Sequence, residues 1–259
     1  MFINNFDPVA ISLFGLDVRW YSLSYIFGIF FGWLYLKKRY LRYKKDLNNL
    51  FDDYISYIIL GIIVGGRFGY ALFYNIEYFL NNPIKIFFIW EGGMSFHGGL
   101  IGVIISSYIF AKKHNQNIFI YLDLVSLVAP IGIFLGRLSN FINSELYGRT
   151  TDLPWSVIFL KIDNFPRHPS QIYECLLEGV LLFIILNYFT KINFNRSGVI
   201  SAIFLIYYSI FRFFIEFTRE PDAHIGFILL NLTTGQIISV IAAIIALLLL
   251  YFRRNINAR

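Results

Sequence analysis

The chain has 259 residues, of which 57% are hydrophobic and 15% charged, and its mean hydropathy is +0.61. Soluble domains carry about 25% charged residues, so this composition excludes an ordinary water-soluble globule and a disordered chain, and leaves a protein whose solvent is partly lipid. The net charge of +6 raises nucleic acid as a partner, but membrane proteins concentrate positive charge in cytoplasmic loops.

The N-terminal segment holds Asp7 and Asp17, with no basic residue before Arg19, so it lacks the basic start of a cleaved signal peptide. Seven apolar stretches follow, each near the roughly 20 residues a helix needs to cross hydrocarbon. The predicted spans are 20–37, 54–74, 95–111, 118–142, 171–189, 198–217 and 234–252, and the fourth is long enough to contain a break at Pro130. There are few Ser/Gly linkers and no long charge run or internal repeat, so residues 1–259 read as one all-α, polytopic integral membrane domain. Loops 37–53, 112–113, 191–196 and 253–259 carry thirteen Lys and Arg, whereas the alternate side carries six (Arg19, Lys85, Arg149, Lys161, Arg167 and Arg219). The positive-inside rule then predicts a cytoplasmic C-terminus and an extracytoplasmic N-terminus. The same asymmetry accounts for the +6 surplus, and nucleic acid drops out as a partner.

Glycines recur every four residues at 28 and 32, at 61, 65 and 69, at 98 and 102, and at 132 and 136, a spacing that lets helices approach closely in lipid. Gly92, Gly93, Gly98 and Gly99 flank a histidine, where close backbone approach to a ligand competes with packing. The single cysteine, Cys175, permits no internal disulfide, and no Cys/His spacing resembles a zinc site.

Ionisable groups inside spans are few: Arg67, Arg137 and Arg212, with Asp123, Glu174, Glu178 and Glu216. Each costs a few kcal/mol to insert and needs a reason. With the predicted orientation, the arginines fall in the outer halves of their helices, level with Tyr21, Tyr25, His97, Gln171 and Glu174. That layer reads as an outer-leaflet anion site. Bland readings compete: Arg67 snorkels to the interface, and Arg212 and Glu216, four apart beside Tyr208, neutralise each other. Asp123 and Glu178 lie outside the layer and have no assigned role. The most informative stretch is Gly136–Gly148, which closes a span with Arg137, Asn140, Asn143 and Glu145. Arg137 and Asn140 share a helical face and together suit phosphate or ester oxygens.

At these residues the sequence closely resembles the prolipoprotein diacylglyceryl transferases, a bacterial inner-membrane family. The likeness extends through Arg19–Tyr25, Trp90–Gly99 and Arg167–Glu174, and from Tyr208 through Arg212, Glu216 and Arg219 to Glu220-Pro221-Asp222. Ser139 departs from the family's usual Gly. The resemblance implies transfer of the diacylglyceryl group of phosphatidylglycerol to the lipobox cysteine of a prolipoprotein signal peptide, with a thioether formed and glycerol 1-phosphate released. It implies seven spans and a small extracytoplasmic head, here placed at 143–170. It also implies a bacterial cytoplasmic membrane location, a site facing the outer leaflet, and no cofactor or metal. The expected partners are the lipid, the signal peptide and the bilayer, with the chain acting as a monomer.

The resemblance makes Tyr25, His97, Arg137, Arg212 and Glu216 the candidate catalytic residues. Arg67, Arg137, Asn140, Asn143, Glu145, Gly148 and Tyr208 are the candidate headgroup ligands. Displacement of phosphate by sulfur requires a thiol to lose its proton and a leaving phosphate to be held. Arg137 and Arg212 suit the clamp. His97 is either the base or a lipid-positioning residue, since a thiol beside two guanidiniums also ionises without a dedicated base. Buried in an apolar helix start, Cys175 is a poor nucleophile. A transporter is the rival class, but its sites usually lie at midplane between repeated halves.

Overall fold

The computed structural model describes residues 2–13, 15–193, 196–221, 227–229 and 232–256. Asp222, the last residue of the Glu220-Pro221-Asp222 motif, lies outside them. The chain is mostly helical, and all seven predicted apolar stretches are helical. Four helical segments among the described residues are long and apolar enough to cross a membrane: Lys45–Phe73, Ile118–Asn143, Ser170–Ile192 and Thr234–Arg253. It divides into two compact units, residues 37–122 and residues 1–36 with 123–259.

In the first unit, α2 (Lys45–Phe73) packs against α4 (Phe96–Lys113). Their seam is made by the four-residue glycine repeat, as expected for helices associating through small residues. A Cβ on Gly69 would lie 2.7 Å from the Cα of Gly98, and one on Gly65 would lie 2.9 Å from that of Gly102. At the other end of this pair the fully buried Tyr54 stacks near Phe110 and Tyr121, and its hydroxyl lies 2.8 Å from Ser107 Oγ. Between the two helices run α3 (Ile76–Asn81) and two 3-10 turns, Pro83–Phe87 and Ile89–Glu91.

In the second unit, α1 (Trp20–Tyr35) and α5 (Ile118–Asn143) approach closely; a Cβ on Gly28 would sit 3.1 Å from Gly132 Cα. α5 continues through Pro130, so the expected break does not interrupt it. A proline removes one backbone bond there, which a long, well-packed membrane helix accommodates. The fifth predicted span is one helical column of changing pitch: α6 (Ser170–Glu174), a π-helical stretch (Cys175–Leu181) and α7 (Leu182–Ile192). α8 (Val199–Ile215) packs on α9 (Thr234–Ile256). Burial is inverted relative to a soluble protein. Phe27, Phe31, Ile244, Leu247 and Leu248 are exposed, while Glu174 and Glu178 have no accessible surface.

An all-α reading omits three small sheets. β1 (Phe2–Asn4) pairs in parallel with β4 (Val157–Phe159), which pairs antiparallel with β5 (Pro166–Arg167). β2 (Val9–Leu13) and β3 (Leu16–Arg19) form a hairpin that leads into α1, and β6 (Phe227–Leu229) pairs with β7 (Leu232–Thr233) before α9. Asn4, fully buried, ties β1 to the end of α5: its amide donates to Phe141 O at 2.7 Å, and its carbonyl oxygen accepts from Ser144 Oγ at 3.3 Å.

Candidate functional site

Arg137 on α5, Glu174 and Glu178 on the α6–π column, and Arg212 and Glu216 at the end of α8 converge on one buried cluster. Glu174 is its hub. One carboxylate oxygen lies 3.2 Å from Arg137 Nε, and the other takes Arg212 Nη1 and, at 3.5 Å, Arg219 Nη1. Arg137 also reaches Glu178 at 3.6 Å, and Arg212 reaches Glu216 at 2.7 Å. Arginine suits this position because its planar fork meets two carboxylates at once. The carboxylates of Glu174 and Glu178 are 0% exposed, whereas Arg137 and Arg212 keep 18% and 13% of their side-chain surface accessible. The cations, not the anions, therefore face outward from the cluster. Tyr208, one turn before Arg212, interacts with Arg137 and Arg212, and Tyr25 on α1 is electrostatically coupled to Arg137. Tyr25 and Tyr21 stack edge-on, 5.3 Å apart. Thr233 and Gly235 complete one wall: the Thr233 hydroxyl donates to Glu216 at 3.0 Å, and a Cβ on Gly235 would lie 2.8 Å from the same carboxylate.

The signature turn follows α5 directly. The side-chain amides of Asn140 and Asn143 donate to the two oxygens of Glu145, at 3.0 and 3.3 Å, so a single carboxylate orients both. Backbone strain concentrates here, with Ser144 and Leu146 at φ 62° and 54°. Fully buried Gln171 donates to Glu145 O at 2.5 Å, and Ser170 Oγ donates to Leu146 O at 2.9 Å. Gly148 is required by crowding. Its N–H donates to His168 O at 3.0 Å, and a Cβ would lie 2.5 Å from His168 Cβ and 2.7 Å from Thr218 O. Arg167 closes the loop, donating to Asp163, Gly148 O and Glu220. Its guanidinium holds the Asp163 carboxyl below the usual carboxylate range, and burial lowers the His168 imidazole.

In the unit of residues 37–122, Arg67 stands apart from its expected use as a headgroup ligand. All five of its N–H groups donate to main-chain carbonyls: Nε to Ile86 at 2.9 Å, Nη1 to Gly92 and Gly93, and Nη2 to Lys85 and Phe88 at 2.7 and 3.0 Å. With 4% of its surface accessible, it shapes the 85–93 loop and has no donor left for phosphate, nor does it snorkel. That loop, with Gly92 and Gly93 both at positive φ, delivers the chain to α4. Ser95 caps α4, accepting from Gly98 N at 3.2 Å, and His97 is exposed in the first turn.

Asp123, unassigned from sequence, is a remote helix cap. Its oxygens accept from Gly198 N and Ser201 N at 2.7 and 2.8 Å, at the start of α8. Sequence reasoning also gave no role to Glu178, counted Arg219 as a loop charge and passed over Thr233. Arg219 lies past the end of α8, in a bridge with Gly148, so helical spacing gave no signal for it. Thr233 carries none either. The one cysteine is buried, with Sγ 3.4 Å from Phe134 O.

Apolar faces turned outward, helices of membrane length and an arginine-rich buried cluster define a multi-pass membrane protein with a built polar site. The family profile described as "Prolipoprotein diacylglyceryl transferase" matches residues 8–252. Proteins named phosphatidylglycerol–prolipoprotein diacylglyceryl transferase are similar over nearly the whole length. That of Rickettsia typhi is 49% identical over 242 residues, covering 92% of this chain and 93% of its own. That of Rickettsia felis is 50% identical over 240 residues, covering 91% and 92%. That of Ehrlichia ruminantium is 46% identical over 255 residues, covering 96% and 98%. The chain belongs to the prolipoprotein diacylglyceryl transferase family, and it is accordingly an enzyme, a transferase of lipoprotein biosynthesis.

Proposed function

We propose that the chain transfers the diacylglyceryl group of phosphatidylglycerol to the thiol of a prolipoprotein's lipobox cysteine. The names of the relatives supply the substrates. The single observation that carries the chemistry is the buried cluster in which Arg137 and Arg212, braced by Glu174, present partly exposed guanidiniums. In the reaction, sulfur bonds to the primary carbon of the diacylglyceryl group as that carbon's bond to the phosphate oxygen breaks. The phosphate takes the electron pair and leaves as glycerol 1-phosphate, and the thiol gives up its proton. Arg137 and Arg212 hold the phosphate as charge accumulates on it, which is where preorganised donors contribute most. Asn140 and Asn143, oriented by Glu145, address the glycerol headgroup, and Tyr25 and Tyr208 border the guanidiniums. Glu216 aims Arg212, and Gly148 keeps the signature turn closed. His97 is the candidate proton acceptor, exposed in the first turn of α4.

The proposed setting is seven spans in a bacterial cytoplasmic membrane, with the N-terminus outside, the C-terminus in the cytoplasm and a head at 143–170. The site then faces the outer leaflet, and the chain acts as a monomer. The Lys and Arg asymmetry of the loops supports this orientation. The test offers purified protein phosphatidylglycerol and a lipobox peptide. A peptide heavier by one diacylglyceryl group, absent when its Cys is replaced by Ser, is the expected result. An unmodified peptide with solute movement across proteoliposomes would instead favour transport.

A further inference from the structure

The proposed site must accept an anion, yet among the described residues its charged groups balance: Arg137, Arg212 and Arg219 face Glu174, Glu178 and Glu216. A bound phosphodiester leaves one negative charge in excess, in surroundings that strongly disfavour an uncompensated charge. The three carboxylates are unequally supported. Glu174 meets three guanidiniums, and Glu216 meets Arg212 at 2.7 Å and the Thr233 hydroxyl at 3.0 Å. Glu178 has no accessible surface, and among the described residues neither of its oxygens has a hydrogen-bond partner and its only ion pair is with Arg137 at 3.6 Å. Glu174 and Glu216 each have one oxygen outside hydrogen-bond geometry as well, but those oxygens lie 3.2 and 2.7 Å from a guanidinium nitrogen.

Glu178 also sits in the π-helical stretch, a feature often found at functional sites. The backbone there is pinned, since a Cβ on the adjacent Gly179 would lie 2.8 Å from Phe134 Cβ. The groups acting on Glu178 are Arg137 from α5, Tyr208, Arg212 and Arg219 from α8 and the turn after it, and Glu174 and Cys175 from its own column. Ionised, Glu178 is the least compensated acid of the cluster. Protonated, it releases Arg137 from one of its two carboxylates.

We propose that Glu178 is the proton site of the anion pocket, taking up one proton as the phosphodiester headgroup binds and keeping it while the phosphate is held. The inference rests on the anion-site reading above, and it assigns Glu178 to charge balance, not to deprotonation of the thiol. A single coupled proton makes the affinity for phosphatidylglycerol fall up to tenfold per pH unit.

Calorimetric titration of the full chain in detergent with phosphatidylglycerol, in two buffers of different ionisation enthalpy, counts the protons. Diacylglycerol serves as the uncharged control. At a pH high enough for Glu178 to be ionised in the free protein, the expected counts are about one proton per phosphatidylglycerol in the wild type and in His97→Gln, about none in Glu178→Gln, and none for diacylglycerol. Binding without proton uptake in the wild type, or equal uptake in Glu178→Gln, overturns the inference and leaves the anion site standing. Uptake lost in His97→Gln overturns it too, by moving the proton elsewhere. Absence of phosphatidylglycerol binding removes the anion site and this inference together. Where Glu178→Gln fails to fold, the wild-type and His97→Gln counts decide.

Discussion

Arg67 and Arg137 both sit inside apolar helices, and their neighbours divide them into different work. Arg67 donates to five carbonyls of the 85–93 loop, which makes it a knot of the fold, while Arg137 is braced by carboxylates and keeps accessible surface. Arg67→Ala takes a donor from all five carbonyls, of which Lys85 O and Phe88 O keep a backbone partner, and a loss of about 3 kcal/mol is expected, read as a lower thermal midpoint in detergent. Activity per folded molecule should change less than the yield of folded protein. A kcat drop without destabilisation would return Arg67 to the site. His97 makes the opposite prediction. Exposed on α4, it should tolerate His97→Gln without loss of folding, while kcat falls on the order of 100-fold and KM holds. Normal thiol attack in that variant would leave His97 a positioning residue. Sequence singled out Arg137 for the clamp and left Arg67 between headgroup ligand and snorkelling side chain, but it did not show what occupies Arg67. A carbonyl acceptor has no residue identity, so the environment that occupies Arg67 leaves no mark in the chain's letters.

At the scale of elements, two devices hold the site's helices in place. The start of α8 is capped by Asp123 from α5, so Asp123→Ala should cost about 1–2 kcal/mol of stability, measured by thermal unfolding in detergent. The turn after α5 is locked by Gly148 against His168 and Thr218, and Gly148→Ala should destabilise by about 1–3 kcal/mol through overpacking. A thermal midpoint within error of wild type would show that the turn can relax. His168, in the same region, links it to pH. Burial lowers its folded pKa, so the unfolded chain binds the proton more readily. Stability should hold above the ordinary value of about 6.5 and decline as pH falls below it, and His168→Asn should flatten that decline. The helices were legible in advance because hydropathy over 20 residues is a strong signal. The three small sheets were not, since strands as short as Phe2–Asn4 and Pro166–Arg167 carry no periodicity. Nor did sequence show that Glu174 would be a hub. Its three arginine partners are 37 residues N-terminal to it and 38 and 45 residues C-terminal, and only packing joins them.

At the scale of the whole molecule, a chain with few charges divides them between two tasks. Most of its Lys and Arg lie in loops, where their asymmetry supports the proposed orientation, and Arg137, Arg212 and Arg219 gather with three glutamates in the buried cluster. Arg137, Arg212, Glu174 and Glu216 stood out by chemical type inside apolar helices, whereas Asn143, Glu145 and Gly148 took their roles from the family resemblance. Their pairing, and the burial of Glu178, required the fold. In the proposed reaction the guanidinium fork of Arg137 holds the departing phosphate. This role is tested by thioether formation at saturating phosphatidylglycerol, compared between wild type, Arg137→Ala and Arg137→Lys with matched thermal stability. Removal of one such donor elsewhere costs about 100- to 1,000-fold, and a point charge does not replace the fork, so both variants should lose at least 100-fold. Turnover by Arg137→Ala within twofold of wild type would show that Arg137 does not hold the phosphate.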